Sequence, residues 1–320
     1  MNRSIASAML FCTAFLCATR PVIAVTMAWS SVGNPGNAAD PLTGFGAVPY
    51  SYNIGTYDVT NNQYVAFLNS NDPTGANTLG LYDSLMSIKY NSGAANGTKY
   101  NVISGDGNQP IDYETWYSAI RFANWLNNGQ VPGSTETGGY TLLGGTPTPS
   151  NANSITRNAG ASIFLPNVNE WYKAAYNIPG TNSYYQYPTS SNTAPTASVP
   201  TGAINSANFD NVVGHLTDVG AYSGTTSPYG AFDMGGNLYQ WTETFTGFSP
   251  NVRGGSFGNP FDDLLSVSQA GGGAGSDNAE VGGFGFRLAS VITVPEPSSV
   301  ILAALGLGGL VVYGWRRKRD

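Results

Sequence analysis

The sequence predicts an α+β fold that is rich in coil and loops. Glycine accounts for 41 of the 320 residues and proline for 19, so turns must be frequent. Charged residues make up 10% and aromatic residues 12%, which excludes a coiled coil and a charge-rich disordered chain. Three amphipathic helical patterns alternate with short strand-like runs. The length predicts one large domain or two small ones.

The first 24 residues have the pattern of a secretory signal peptide. Arg3 precedes an apolar run over residues 8–18, and small residues end the segment at Ala24. The alternative, a buried first helix, fits poorly with Arg20 and Pro21. The only two cysteines, Cys12 and Cys17, lie inside this run, so the exported chain is expected to carry no thiol and no disulfide.

The carboxyl-terminal segment, residues 294–320, combines three features in a fixed order. Pro295-Glu296-Pro297 is followed by an apolar stretch at 300–315 and by four basic residues at 316–319. Sixteen helical residues cover roughly 24 Å, slightly less than a bilayer core. This order resembles the PEP-CTERM sorting signal, which implies an exosortase-type partner, a short transmembrane helix and localisation at the cell envelope or surface. The alternative is a simple membrane anchor, with the basic residues on the cytoplasmic side.

The exported part is strongly acidic. Residues 25–295 hold 7 Lys and Arg against 17 Asp and Glu, a net charge of −10. Such a surface repels phosphate backbones, so nucleic acid is excluded as a partner.

Three helices are predicted from capping residues and apolar spacing. Thr60 caps the first, Asp112 caps the second, and Asn167 with Glu170 forms a capping box for the third. Gly129 and Gly180 follow the second and third helices as left-handed terminators. Strands are predicted at residues 52–59, 162–165, 251–257 and 284–291, and long binding or mobile loops at 129–160 and 179–205.

Six sequence blocks then suggest a family. They are Val59-Thr60-Asn61-Asn62-Gln63-Tyr64, Phe122-Ala123-Asn124-Trp125-Leu126, Leu165-Pro166-Asn167-Val168-Asn169-Glu170-Trp171, the run from Tyr229 to Trp241, Arg253-Gly254-Gly255-Ser256-Phe257, and Gly285-Phe286-Arg287-Leu288-Ala289. In this order they resemble the formylglycine-generating enzyme (sulfatase-modifying factor) family. The resemblance implies a domain over residues 45–292 with that family's variant of the C-type-lectin-like fold.

The resemblance also implies calcium sites. Carried over by position, the ligands of one ion are Asp233, the carbonyls of Gly236 and Leu238, and Gln240, where the family has Asn and Glu at the outer positions. Since Gln cannot chelate in bidentate fashion, weaker binding is expected. The alternative is a metal-free turn capped by Asp233. A second calcium loop maps to four residues, Asn208, Phe209, Asn211 and Val213.

The family's catalytic centre does not carry over. Its two copper-binding cysteines align with Asn259 and Leu264, and neither side chain binds Cu(I), so copper is not expected. The family's pocket region maps to Ser256, Asn259 and Arg287.

Other chemistry finds little support. Gly254 to Gly258 spells the Gly-x-Ser-x-Gly of a nucleophile elbow, but Asn259-Pro260 follows and the only histidine, His215, lies upstream. A single histidine without cysteine cannot build a closed zinc site. The carboxylate pairs Asp262/Asp263 and Asp277/Glu280 are interpreted as surface acids rather than a glycosidase pair. A tyrosine cluster, Tyr184, Tyr185 and Tyr187, indicates either an adaptable binding surface or loop packing.

The sequence therefore favours an exported, membrane- or surface-anchored, non-catalytic protein that binds an unknown envelope or extracellular ligand or has a structural role. Two alternatives stay open. One is a formylglycine-generating oxidase acting on a sulfatase cysteine, and the other is a calcium-dependent surface lectin, which rests on fold analogy alone.

Overall fold

The structure is a computed structural model that describes residues 24–247, 249–264, 266 and 283–292. The predicted signal peptide up to residue 23, the sorting segment at 294–320 and the pair Asp277/Glu280 lie outside the described residues. Within the described part, no helix is long and apolar enough to cross a membrane.

Short elements separated by long connections make up the described chain. The helices are α1 (Asn61–Asn71), α2 (Trp116–Asn127) and α3 (Val168–Tyr176), with two 3-10 turns at Ala152–Ser154 and Phe261–Leu264. The strands are β1 (Trp29–Val32), β2 (Tyr52–Gly55), β3 (Ile88–Tyr90), β4 (Tyr100–Val102), β5 (Ile163–Phe164), β6 (Thr196–Ala197), β7 (Ser206–Ala207), β8 (Tyr239–Thr246), β9 (Ser249–Arg253), β10 (Phe284–Gly285) and β11 (Ala289–Val291).

The sheets join distant parts of the chain. An antiparallel sheet has the order β1-β2-β11-β5, so the last strand lies between two early ones and Ala289 faces Ile54 on one side and Phe164 on the other. A second sheet has the order β10-β8-β9, with β8 parallel to β10 and antiparallel to β9. The pairs β3-β4 and β6-β7 form small separate ladders.

The helix caps confirm two predictions and correct a third. Thr60 caps α1 and Asn167 caps α3, each in a complete capping box with the residue three positions on. The second helix begins at Trp116 with Thr115 as its cap, so the predicted cap at Asp112 is wrong. The cause is Tyr113, whose φ of 60° is left-handed and cannot belong to the helix.

The two predicted glycine terminators behave differently. Gly129 (φ 70°) ends α2 in a Schellman motif, since its N–H bonds to Leu126 O at 3.0 Å and that of Gln130 bonds to Trp125 O at 2.8 Å. Gly180 does not end α3. It lies in a turn closed by Thr181 N and Ile178 O at 3.1 Å, where Pro179 precedes a positive φ as in a type II turn.

The predicted strands form at the expected places but are shorter. In place of the predicted strand at 251–257, the structure has β9 (Ser249–Arg253). This strand ends at Arg253 because Gly254 and Gly255 have φ of 105° and 73°. The run 284–291 splits into β10 and β11 around the buried Arg287. Residues 52–59 and 162–165 contribute only β2 and β5.

An aromatic core connects the helices to the sheets. Trp116, Trp125, Trp171 and Trp241 are all at most 1% exposed, as their positions in the helices and motifs predict. The Phe122 ring on α2 lies 5.3 Å from that of Phe67 and 5.4 Å from that of Phe286. These contacts bury the inner faces of α1 and α2 against the chain that leads into β11.

The loop at 129–160 is held by polar groups of α2. The fully buried Asn124 donates to the carbonyls of Thr135 and Tyr140 at 2.7 and 3.0 Å. Arg121, also fully buried, pairs with Glu136 at 2.7 Å and donates to carbonyls of the same loop. Buried polar side chains of α2 thus satisfy backbone carbonyls of this loop that no helix or sheet would otherwise pair.

Candidate functional site

The centre of the site is the side chain of Arg287, which is fully buried between β10 and β11. Its Nε donates to Gln240 Oε1 at 2.6 Å and its Nη1 to Gly55 O at 2.8 Å. Its Nη2 donates to the carbonyls of Phe232 and Asp233 at 2.8 and 3.2 Å. One guanidinium therefore binds β2, β8 and the loop before β8 at the same time.

A buried carboxylate balances this cation. Asp58 Oδ1 lies 3.0 Å from Arg287 Nη2, and both side chains are 0% exposed. Burial raises the pKa of Asp58 to about 7, while the Arg287 charge acts in the opposite direction. The pair is thus fully desolvated, and it is an ion pair only once the pH is high enough for Asp58 to lose its proton.

The predicted first calcium loop does not fit a calcium ion in this arrangement. Gln240 Oε1 already accepts from Trp171 Nε1 and from Arg287 Nε, both at 2.6 Å, and Gln240 Nε2 donates to Asp233 O at 2.7 Å. Asp233 Oδ2 accepts the N–H of Gly220 at 2.6 Å. The Gln240 oxygen has no lone pair left for a metal, and a guanidinium lies against it.

The same segment is tightly packed around its glycines. A Cβ at Gly236, where φ is 77°, would lie 2.4 Å from Asn208 O. Asn237, buried behind it, accepts the N–H of Thr217 at 2.9 Å and donates to Thr217 O at 3.1 Å. Glycine is required here for both conformation and space, so the turn is built by packing and hydrogen bonds.

The second predicted calcium loop has one free ligand atom. Asn208 Nδ2 donates to His215 O at 2.9 Å and Asn237 Oδ1 at 3.0 Å, but no donor in the described chain reaches the buried Asn208 Oδ1. Asn211 has a left-handed φ of 54°, and the carbonyl of Phe209 accepts the N–H of Val212 at 3.3 Å. The orphaned amide oxygen suits a cation, and calcium in this loop, with Val213 as its fourth predicted ligand, stays a prediction.

Acidic and sulfur ligands do not reinforce either loop. Across the described ranges, no group of three or more His, Cys, Asp or Glu residues is arranged to hold a metal.

Of the three predicted pocket residues, Ser256 and Asn259 contact each other, while Arg287 makes its hydrogen bonds with other groups. Asn259 Oδ1 accepts from the backbone N–H of Ser256 at 3.0 Å and from its hydroxyl at 2.5 Å, so these two close a turn. This is the role expected for Ser256 if it is not a nucleophile. The groups that Arg287 binds belong to a different set of residues, and its burial leaves it inaccessible to a ligand.

Leu264 fills the second of the predicted thiol positions with an apolar side chain. It is 0% exposed and belongs to a small cluster with Tyr187, Ala207 and Phe209. Its side chain lies 3.3 Å from where a Cβ of Gly235 would be and 3.0 Å from where one of Gly255 would be. The leucine is therefore packed between two glycine turns rather than lining a cavity.

The tyrosine cluster and the remaining candidates serve packing. Tyr187 is buried in the Leu264 cluster, and Tyr184 receives a hydrogen bond from Asn37 and donates to Ala38 O at 2.7 Å. The loop-packing interpretation therefore applies to both. His215 lies in an exposed loop with its Nδ1 2.7 Å from Leu216 O, and Asp263 accepts the Tyr239 hydroxyl at 2.9 Å.

A cleft that the sequence did not reveal lies beside α3. It measures about 290 Å³, with Arg157 and Glu243 among its polar lining and Ile155 and Phe245 among its apolar lining. Arg157 binds the fully buried Glu170 through both terminal nitrogens, at 2.9 and 2.7 Å, and stacks 3.5 Å above the Phe164 ring. Charged residues are rare in this chain, so Arg157, Glu170 and Glu243 could have been noticed in the sequence. That they lie together, however, follows only from the tertiary structure.

The second partner of Arg157 completes the network. Glu243 accepts from Arg157 Nε at 2.9 Å and from the Tyr140 hydroxyl at 2.7 Å. Burial raises the pKa of Glu243, and Arg157 lowers it. Two carboxylates against one guanidinium leave a net negative charge below the apolar walls, which suits a protonated amine better than an anion.

With this geometry in view, the comparisons with known proteins identify the family. The FGE-sulfatase profile, described as a sulfatase-modifying factor enzyme 1-like domain, matches residues 42–292. The chain belongs to this family. The PEP-CTERM protein-sorting motif matches residues 293–318, so the sulfatase-modifying factor domain is exported and sorted to the cell envelope, and exosortase-type processing is implied.

Solved structures confirm the fold class. Treponema denticola variable protein 1 matches with a TM-score of 0.54 and 18% identity over 85% of this chain and 98% of that chain. A crystal structure of CarF matches with a TM-score of 0.53 and 19% identity over 83% of this chain and 99% of that chain. The sulfatase-modifying factor domain thus has the family's variant of the C-type-lectin-like fold. Comparison with curated protein sequences gave no significant match.

Buried acids make the domain more stable in acid than in alkali. Burial raises the pKa of Asp58 and Asp112 from 3.8 to about 7 and that of Glu114 well above its usual value. Between pH 4 and 7 the folded state therefore binds more protons than the unfolded state, so the free energy of unfolding falls by a few kcal/mol as pH rises. Urea unfolding at pH 4.5, 6 and 8 measures this decline.

The variant Glu114→Gln, which mimics the protonated acid, is expected to flatten that pH dependence. Asp218→Asn, which changes an exposed carboxylate, is the matched control and should leave it unchanged. A wild-type stability that rises from pH 4.5 to pH 8 would contradict the prediction.

Removal of the cleft cation is expected to destabilise the fold. Arg157→Leu leaves Glu170 fully buried and unpaired, so unfolding in urea should lose about 3 kcal/mol or more. Lys89→Leu, at an exposed position, serves as the control and should change stability by less than about 0.5 kcal/mol. Equal effects of the two substitutions would show that the network contributes nothing.

Proposed function

We propose that this sulfatase-modifying factor domain is non-catalytic and acts as a binding or structural module of the cell envelope. The main support for this proposal is that a buried leucine, Leu264, lies at a position where the family's oxidase has a copper-binding cysteine. A leucine packed against two glycine turns supplies neither a thiolate nor room for a metal. The other position holds Asn259, whose side-chain oxygen closes a turn with Ser256.

The rest of the scaffold supports a role in binding. The described residues form the three helices and the two larger sheets of the fold, while the sequence beyond Cys17 has no cysteine. The cleft over Arg157 and Glu243 offers an open, partly apolar surface, and the acidic charge of the exported chain favours a cationic or amine-bearing partner. The partner itself is an envelope or extracellular ligand that we propose only by this chemistry.

A turnover assay tests the absence of catalysis. The exported chain without residues 1–24, and so without Cys12 and Cys17, is purified in detergent, loaded with copper and incubated with a sulfatase peptide that contains the target cysteine. We expect no formylglycine above the level without protein, as measured by peptide mass spectrometry, because no thiol can hold Cu(I). A cysteine-bearing member of the family is the positive control. Formylglycine formed above background, or copper retained through gel filtration, would refute the proposal.

Membrane attachment through residues 300–315 is the second part of the proposal. A chain truncated after residue 293 lacks the apolar stretch and the basic cluster. We expect it to leave the membrane pellet and appear in the soluble exported fraction, as measured by immunoblotting after fractionation. Substitution of the four basic residues alone is the companion variant, since it leaves the apolar stretch intact. A truncated chain that stays in the pellet would rule out this anchor.

A further inference from the structure

The loop from Asp233 to Gln240 has the sequence of a cation site but contains an arginine from elsewhere in the chain. We propose that the Arg287 guanidinium is the resident cation of this loop, so that the loop folds without calcium and binds none. This inference concerns the architecture of the loop and does not depend on the proposed function.

Arg287 donates hydrogen bonds to several oxygens of this loop. It takes the Gln240 side-chain oxygen, a predicted metal ligand, together with the carbonyls of Phe232 and Asp233. A calcium ion holds a loop by drawing carbonyl and carboxamide oxygens to one centre. A guanidinium does the same through five N–H groups in a fixed plane.

Hydrogen bonds already occupy the Gln240 oxygen that a metal ion would need. Its side-chain oxygen accepts two hydrogen bonds, from Arg287 and from Trp171, and its amide nitrogen donates to Asp233 O. This orientation is fixed on three sides within a fully buried environment. A metal ion could reach that oxygen only by breaking both contacts.

The positive charge of Arg287 also disfavours a metal ion in the loop. Arg287 and its ion-pair partner Asp58 are both 0% exposed, so solvent does not screen the guanidinium. A divalent ion at coordination distance from the Gln240 oxygen would lie within a few ångströms of that positive charge. Like charges at such separations repel strongly in a buried site. The loop therefore accommodates one cation, and the covalently attached one is always present.

Thermal unfolding of the full chain in detergent tests the proposal. The melting temperature is measured in excess calcium chloride and in excess EGTA. A calcium ion bound only to the folded state at 100 times its Kd would raise the melting temperature of a domain of this size by roughly 5–10 °C. We expect no shift from the loop, so wild type and Asp233→Ala, which lacks the side-chain oxygens, should respond to EGTA equally.

Two outcomes of this comparison are decisive. If EGTA lowers the wild-type melting temperature and Asp233→Ala abolishes that response, calcium occupies the loop and the proposal is wrong. If a response is present but unchanged in Asp233→Ala, and is lost in Asn208→Ala, the ion binds the second loop and the proposal holds.

A second pair of variants tests the exchange of cations directly. Gln240→Glu places a carboxylate against Arg287 and should stay folded and insensitive to calcium. Gln240→Glu combined with Arg287→Met removes the guanidinium and leaves an empty, acidic loop. We expect calcium to raise the melting temperature of this double variant while leaving that of the single variant unchanged. A folded double variant that ignores calcium would contradict the proposal, and if it does not fold the comparison with Asp233→Ala decides.

Discussion

The buried guanidinium of Arg287 is the interaction on which the rest of this fold depends. It binds the end of β2 through Gly55 O, the loop through Phe232 O and β8 through Gln240 Oε1. These segments belong to the two larger sheets, β1-β2-β11-β5 and β10-β8-β9, and to the loop before β8. A fully buried charge is tolerated only when its hydrogen-bonding groups are satisfied, so each partner is fixed by the same requirement.

Two other arginines, which are buried or largely buried, hold segments that lack regular secondary structure. Arg121 holds the long loop after α2, and Arg157 joins α3 to β8 through Glu170 and Glu243. The chain has only 13 Lys and Arg in total, yet three of its arginines organise segments that are mostly coil. In a fold with short strands, these centres supply the long-range hydrogen bonds that a larger sheet would otherwise provide.

The positions that align with the family's two thiols are filled here by side chains with packing and hydrogen-bonding roles. Leu264 completes a small apolar cluster with Phe209 and Tyr187, while Asn259 ties the Ser256 turn. Both residues contribute to local structure at positions that align with thiols of the family's oxidase. The neighbouring turns at Gly235 and Gly255 require glycine, because a Cβ at either position would press against the Leu264 side chain.

The sequence by itself determined the family, the PEP-CTERM sorting motif, the caps of α1 and α3, and the absence of cysteine beyond Cys17, because each depends on residue identity or on spacing along one segment. It misplaced the start of α2, since the left-handed conformation of Tyr113 has no sequence signature. Strand β8 was hidden because Tyr239 and Gln240 also match the expected metal loop. Only the tertiary structure decided that Arg287 lies against Gln240 and that Arg157 meets two glutamates, because these partners are 47, 13 and 86 residues apart and their contact follows from packing.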